Sequence, residues 1–417
     1  MFSYQTETLP NGVRILTEAI DSVRSAALGI WVATGSRDER SGESGAAHFI
    51  EHMLFKGTHT DTAAQLAARM DAIGGQLNAF TTKECTCFYV HALDSHLMEG
   101  LDILTGMFFD SKFAQEDVET ERGVILEEIG MYRDDPSDVC SERLAAAIYQ
   151  GTPLARAILG RKATLDKMTG EWLRHYKESR YRPDRVIVSL AGSYPQEVVE
   201  DIRRRFSRME PAKTPKAKPA RYTPAVTLKR KATEQNQLLM AFPSISASDP
   251  RRFSLQLLSS ILGGGMSSRL FQTVRERQGL CYNIYTYGSC YDDIGVFCVS
   301  TAQCRDTEEQ AITSIRREID RFVAEGATQE ELNRARELAK ANVLMGLEST
   351  TAHMNHLARS MLQNGQVLTP DEIIAAYDAV TLEDLSALAR ETFRWEQASL
   401  SVVGKTAEEA QYRKLLC

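Results

Sequence analysis

The chain has 417 residues, of which 43% are hydrophobic and 25% charged, with a formal net charge of −7. That length exceeds one ordinary hydrophobic core and suits two domains of about 200 residues each, and the acidic balance gives no overall basic surplus for nucleic acid. No run is long and apolar enough to span a bilayer, and the start, Met1-Phe2-Ser3-Tyr4-Gln5-Thr6-Glu7-Thr8, lacks the basic and apolar regions of a signal peptide; a cytoplasmic protein without membrane or nucleic-acid partners is expected.

Strands are expected over 12–19 and 26–34, followed by a helix through the segment Gly45-Ala46-Ala47-His48-Phe49-Ile50-Glu51-His52-Met53-Leu54-Phe55-Lys56-Gly57. On that helix His48 and His52 stand one turn apart on one face, so both imidazoles reach the same ion. Glu51 stands beside them. Two neutral imidazoles on a fixed helix begin a zinc site, and a neighbouring carboxylate serves as general base on a metal-bound water. His-x-x-Glu-His is the inverzincin pattern. The competing reading is a core helix with two satisfied histidines. Apolar neighbours on nearly every side argue for burial, and there a metal would satisfy at once polar groups that are costly to leave unpaired.

A helix over 61–73, strands over 76–81 and 85–92 and a helix over 95–109 come next. A helix over 115–132 carries the apolar stripe Val118, Val124, Ile125, Ile129 and Tyr132. Glu128 shares that stripe through Val124, Ile125 and Tyr132 and points toward the core, whereas Glu127 sits among Thr120, Gly123 and Gly130 and faces water. Glu128 is therefore expected as the third metal ligand. Glu121, two turns earlier on the same face, is expected to orient a ligand by hydrogen bonding.

Residues 210–224 contain four prolines and several cations and read as an exposed linker. It separates an N-terminal zinc-bearing domain, 1–209, from a C-terminal domain, 225–417. The halves read as diverged repeats: in the second, a strand over 237–242 precedes a helix over 253–262, then strands over 281–289 and 295–301 and a helix over 307–324. The counterpart of the zinc helix, Arg252-Phe253-Ser254-Leu255-Gln256-Leu257-Leu258-Ser259-Ser260, has no histidine. Strands and helices in blocks point to an α+β fold, two sandwich-like domains each with a mainly antiparallel sheet and helices packed on one face. Gly263-Gly264-Gly265 reads either as a helix cap and turn or as a substrate-contacting loop. His353 and His356 are expected on a solvated helix face. The eight cysteines form no Cys-x-x-Cys, which favours reduced thiols.

In these motifs the chain resembles the pitrilysin/insulinase family of zinc metallopeptidases, on the branch of bacterial half-length members akin to the mitochondrial processing peptidase. The resemblance runs through His48 to Thr58, Asn78-Ala79-Phe80-Thr81, Glu121 to Glu128, Gly263 to Phe271 and Val274 to Tyr282, in family order. It implies one Zn²⁺ per chain on His48, His52 and Glu128, with Glu51 as the base. It also implies a substrate-binding edge strand at Asn78, Ala79 and Phe80, on which peptide adds as a further strand. Arg275 and Tyr282 would contact substrate near the scissile bond, Tyr282 at the oxyanion. Relatives enclose peptides in a chamber of four homologous domains. This chain supplies two, so a homodimer is expected, or a heterodimer with a homologous chain. The activity implied is zinc-dependent endopeptidase action on peptides or unfolded segments; the alternative is a non-catalytic or partner-dependent subunit of a heterodimeric processing peptidase.

Overall fold

The computed structural model describes residues 2–214 and 217–416. Met1, Pro215, Lys216 and Cys417 lie outside them, and with them the first residue of the chain start, two residues of the expected linker and one of the eight cysteines. In chain order the first half holds β1 (Gln5–Thr8), β2 (Arg14–Ala19), β3 (Ser25–Val32), α1 (Ala46–Leu54), α2 (Ala63–Ala72), β4 (Gln76–Thr81), β5 (Thr86–Leu93), α3 (Leu97–Asp110), α4 (Gln115–Asp134), α5 (Pro136–Ile148), α6 (Lys162–Leu165), α7 (Gly170–Arg180), β6 (Val186–Gly192) and α8 (Gln196–Phe206). The second holds β7 (Val226–Arg230), β8 (Asn236–Ser244), α9 (Arg252–Gly263), β9 (Asn283–Cys290), β10 (Gly295–Gln303), α10 (Glu308–Glu325), α11 (Gln329–Met345), α12 (Thr350–Asn364), α13 (Pro370–Ala379), α14 (Leu382–Thr392), β11 (Ser399–Gly404) and α15 (Glu409–Leu416).

The strands form two sheets, ordered β1-β2-β6-β3-β5-β4 and β7-β11-β8-β10-β9. Apart from β1, the two orders match position for position, and each sheet has one parallel pair, β2 with β6 and β7 with β11, among antiparallel ones. The mixed α/β architecture and the mainly antiparallel sheets are as expected. The central strands β3 and β6 are buried almost throughout. That fits their apolar runs, which do not alternate with polar residues because both faces of the sheet are covered.

One face of the first sheet meets a helical layer in which Phe49 and Met53 of α1, Leu104 of α3 and Ile125 of α4 pack on Leu28, Ile30, Phe88 and Val90. Helices were expected on one face alone, but the opposite face is also covered, by a helix from the far half of the chain. Met354, Leu357, Ala358 and Met361 of α12 pack on Leu16, Trp31, Ile187 and Ala191. The second sheet receives the reciprocal helix, with Cys140, Leu144 and Ile148 of α5 on Leu239, Ala241, Cys298 and Val403. The chain thus folds as two compact units of three segments each. The first is Met1–Ile129, Arg156–Lys218 and Met345–Thr369; the second is Gly130–Ala155, Pro219–Leu344 and Pro370–Cys417. A boundary at 210–224 separates the strands of the two sheets but not these helices, so the expected division 1–209 and 225–417 differs from the compact units.

The packing of α12 corrects the expectation for His353 and His356. They lie half-buried on α12: His353 Nδ1 is 2.9 Å from Glu18 Oε2, and His356 Nε2 is 2.7 Å from the Leu368 carbonyl oxygen. Among the described residues the seven cysteines are unpaired thiols, and no helix is long and apolar enough to cross a membrane.

Candidate metal centre

α1 is a nine-residue helix whose Ala46, Ala47, Phe49, Ile50, Met53 and Leu54 are all fully buried. The remaining positions, His48, Glu51 and His52, form its polar face. α4 supplies the opposing wall. Arg122 anchors that helix, donating from Nη2 to the Met168 carbonyl at 2.8 Å and from Nη1 to that of Leu165. Glu121 and Glu128 stand two turns apart on one side of α4, while Glu127 is exposed, as its neighbours imply. Two members of the expected apolar stripe are not covered: Val124 is 47% exposed and Tyr132 38%. A helix face is wider than the row it buries, and spacing alone does not decide which flank meets the core.

His48 Nε2 and His52 Nε2 each lie 3.6 Å from Glu128 Oε2, and the three ligand atoms lie within 4.8 Å of one another. Bonds of about 2.0–2.1 Å at tetrahedral angles place zinc ligands about 3.3–3.4 Å apart, and the two imidazole–carboxylate distances of 3.6 Å are close to that spacing. Burial, with the His52 ring beside it, lowers the His48 pKa to about 3, so its imidazole is neutral and keeps a lone pair for a metal. Burial also raises the Glu128 carboxyl, with His52 pulling the other way; a dication at this point would offset that penalty.

The two imidazoles are held differently. His52 Nδ1 lies 2.9 Å from Glu121 Oε2. A carboxylate oxygen accepts, so Nδ1–H donates and Nε2 is left as the ligand atom, the orienting arrangement usual in metal sites. Glu121 is itself buried and ion-paired with Lys56. His48 Nδ1 is buried and has no hydrogen-bond partner among the described residues. Glu51 accepts from the Thr81 hydroxyl at 2.5 Å. Burial raises its carboxyl above the ordinary range, the Thr81 bond and His52 lower it, and Glu128 raises it. Glu51 thus holds a proton more readily than a solvated glutamate.

β4 is an edge strand, paired among the described residues with β5 alone, and its Ala79 amide donates to Asn78 Oδ1 at 2.8 Å. Leu77 and Ala79 pack toward the α1 side. Phe80 turns to the other face, edge-on to Trp31 at 5.3 Å between ring centroids, so it can serve an added strand only through its backbone. Asn78 is exposed. Beside this strand is a cavity of about 590 Å³ lined by Phe55, Leu66, Met70, Leu77, Asn78 and Tyr89 among others.

Arg275 and Tyr282 belong to the second unit. Arg275 lies on a π-helical turn, Phe271–Glu276, and Gly279, at φ +61°, turns the chain toward β9. The Arg275 guanidinium lies 4.4 Å from the centroid of Phe271 and 5.4 Å from that of Tyr282, and Tyr282 is 77% exposed. Stacking between the two rings holds the guanidinium beside a freely presented phenol. Gly264 caps α9 through its amide to the Ser260 carbonyl at 3.0 Å.

Lys56 and Thr81 join the site without having been expected there. Lys56 lies one helical turn beyond His52, a spacing that could have found it; Thr81 reaches Glu51 only through the sheet.

Residues 14–162 match the profile of the insulinase peptidase family M16, and residues 167–338 match that of the M16 inactive domain. A protein of Streptomyces coelicolor named as an uncharacterized zinc protease is 38% identical over 97% of this chain and 90% of its own length. A Bacillus subtilis protein of the same description is 40% identical over 94% and 96%. Among solved structures, a protease from Helicobacter pylori superposes with a TM-score of 0.88 at 19% identity, covering 97% of this chain and 99% of that one. A Pseudomonas fluorescens structure described as a peptidase M16 inactive domain superposes with a TM-score of 0.89 at 20% identity, covering 97% and 98%. The last two share the fold; the identity and coverage of the first two show that the chain belongs to the insulinase family of peptidases, M16.

Proposed function

We propose that the chain is a zinc-dependent endopeptidase acting on peptides or unfolded polypeptide segments. The observation that carries this reading is the cluster of His48 Nε2, His52 Nε2 and Glu128 Oε2, with 3.6 Å from each imidazole to the carboxylate and Glu51 on the same helical face. The relatives named zinc proteases support it.

One Zn²⁺ per chain would be held by those three residues, and zinc when bound acidifies water and polarises a carbonyl oxygen. Glu51 takes a proton from the attacking water and returns it to the leaving amine; its raised affinity for a proton suits both steps. Thr81 and the buried packing of α1 fix that carboxylate. Glu121, charge-paired with Lys56, keeps His52 in the tautomer that leaves Nε2 free. The edge of β4 at Asn78 and Ala79 takes the substrate backbone as an added strand once Asn78 Oδ1 releases the Ala79 amide, and the cavity beside it takes an apolar side chain. Tyr282 donates to the oxyanion and Arg275 holds the substrate backbone. The working unit is a homodimeric, cytoplasmic chamber in which two copies bring four homologous domains together.

The test is cleavage of an internally quenched peptide library by purified protein, with and without a zinc chelator, beside Glu51→Gln. Cleavage that the chelator abolishes and Glu51→Gln lacks is expected. A zinc-loaded wild-type dimer that cuts nothing would favour the subunit reading, in which a second homologous chain is required.

A further inference from the structure

The helix that presents His48, Glu51 and His52 is capped from outside itself. A helix leaves its first amides without intrahelical partners, and the usual remedy is a Ser, Thr, Asp or Asn at the N-cap. The N-cap of α1 is Gly45, at φ +97°. No side chain fits there: a Cβ would lie 2.8 Å from Leu165 Cδ2 and 2.9 Å from the Leu159 carbonyl oxygen. The capping group comes instead from Glu39. Its Oε2 accepts from the Gly45 amide at 3.0 Å, and its Oε1 accepts from the Ala47 amide at 3.0 Å. Glu39 is only 3% exposed. Its backbone is held in turn by the Arg156 guanidinium, which donates to the Glu39 carbonyl and, at 3.5 Å, to that of Arg37. Burial raises the Glu39 carboxyl to about 8, against the pull of the two amides and of Arg156.

We propose that Glu39 is a positioning residue for the metal centre: by pinning the first turn of α1 it sets the height and rotation at which that helix presents His48 to Glu128. The proposal rests on the metal-binding reading above and adds to it the group that fixes one ligand's place. His48 is the third residue of α1 and has no partner on Nδ1 among the described residues, so the pinned turn, with the buried Ala46, Ala47 and Phe49 beside it, is what places it. His52, by contrast, has Glu121. Loss of Glu39 frays the end of the helix that carries His48, and the cost falls on zinc affinity as well as on stability.

The experiment compares wild type, Glu39→Ala, Glu39→Gln and Asp38→Asn. Asp38 pairs with Arg185 and accepts from the Gly35 amide but touches no amide of α1. Three quantities are read: zinc affinity by competition with a chromogenic chelator, hydrogen exchange over 45–54 in metal-free protein by mass spectrometry, and kcat and KM on a quenched peptide. Glu39→Ala is expected to weaken zinc binding about tenfold, as loss of a supporting partner does in other sites, to speed exchange over 45–54, and to lower kcat with little change in KM. Glu39→Gln keeps the shape and one good acceptor, so a loss of roughly threefold is expected, the scale of one hydrogen bond. Asp38→Asn is expected to change only the melting temperature. Wild-type zinc affinity and wild-type exchange over 45–54 in folded Glu39→Ala would overturn the proposal; should that variant fail to fold, the same two results in Glu39→Gln would do so. A wild-type chain that holds no zinc would strike the metal reading instead, and the exchange comparison would still decide the role of Glu39.

Discussion

His48 and His52 look equivalent in the sequence, and the fold makes them different. His52 is fixed through Nδ1 by Glu121, whereas His48 is neutral because burial and the neighbouring ring lower its pKa to about 3 from an ordinary value near 6.5. The folded chain therefore declines a proton that the unfolded chain accepts between those values. Stability from this group is full above pH 6.5 and is lost as pH falls toward 3, with a slope of up to about 1.4 kcal/mol per pH unit. Urea midpoints of chelator-treated protein across that range should show the slope, and His48→Asn should flatten it; parallel profiles would refute the assignment. Lys56 acts at the other end of the helix. Lys56→Met leaves Glu121 buried with His52 as its remaining partner, so zinc affinity should fall about tenfold, and Lys56→Arg should restore most of it. Equal affinity in all three proteins, by chelator competition, would leave Lys56 a surface charge. At this scale the five residues of the cluster were legible, because each lies on a helix whose 3.6-residue period decides which side chains share a face. Glu39 and Thr81 were not. Each meets α1 through a loop or a strand, a meeting that helical spacing does not register.

At the scale of elements, local patterns located α1, β4 and α4, and chain distance hid the rest. The parallel partner of β2 is β6, and that of β7 is β11; each returns from the far end of its half, so nothing near β2 or β7 signals the pairing. α12 is the larger surprise, since its apolar face suits any sheet and only the fold shows that it covers the first. Gly29 of β3 records that docking. A Cβ there would lie 2.6 Å from Met354 Sδ and 2.9 Å from Trp31 Nε1, both on fully buried side chains. Gly29→Ala should therefore destabilise by about 1–3 kcal/mol through overpacking, and Met354→Ala by about 2–5 kcal/mol through the cavity it leaves. Because the added methyl would occupy space that Met354 vacates, the double variant should be more stable than the sum of the two predicts, with a coupling of about 0.5–3 kcal/mol. Additive urea-denaturation energies would show that α12 does not set the need for glycine.

At the scale of the whole chain, two sheets of matching strand order make an internal repeat visible that the sequence shows only in outline, and the exchanged helices make each unit depend on both halves. A fragment of residues 1–209 keeps the strands of the first sheet but leaves Leu16, Trp31, Ile187 and Ala191 without α12, so it should aggregate, and linking residues 345–369 to its end should improve its solubility. The proposed dimer makes a further demand. Glu51 and Tyr282 lie in different units of one chain, so a working site could take its tyrosine from the same copy or from the other. Glu51→Gln and Tyr282→Phe chains, each nearly inactive alone, can be refolded together in equal amounts. If the tyrosine acts across the dimer, every mixed dimer contains one site with both native residues and one with neither. Half of the dimers are mixed in a random assembly, so about a quarter of wild-type activity should return. If the tyrosine acts within its own chain, or if the chain works as a monomer, mixing restores nothing beyond the average of the two parents. Light scattering on the same samples separates those two cases, because only the first of them retains the mass of a dimer.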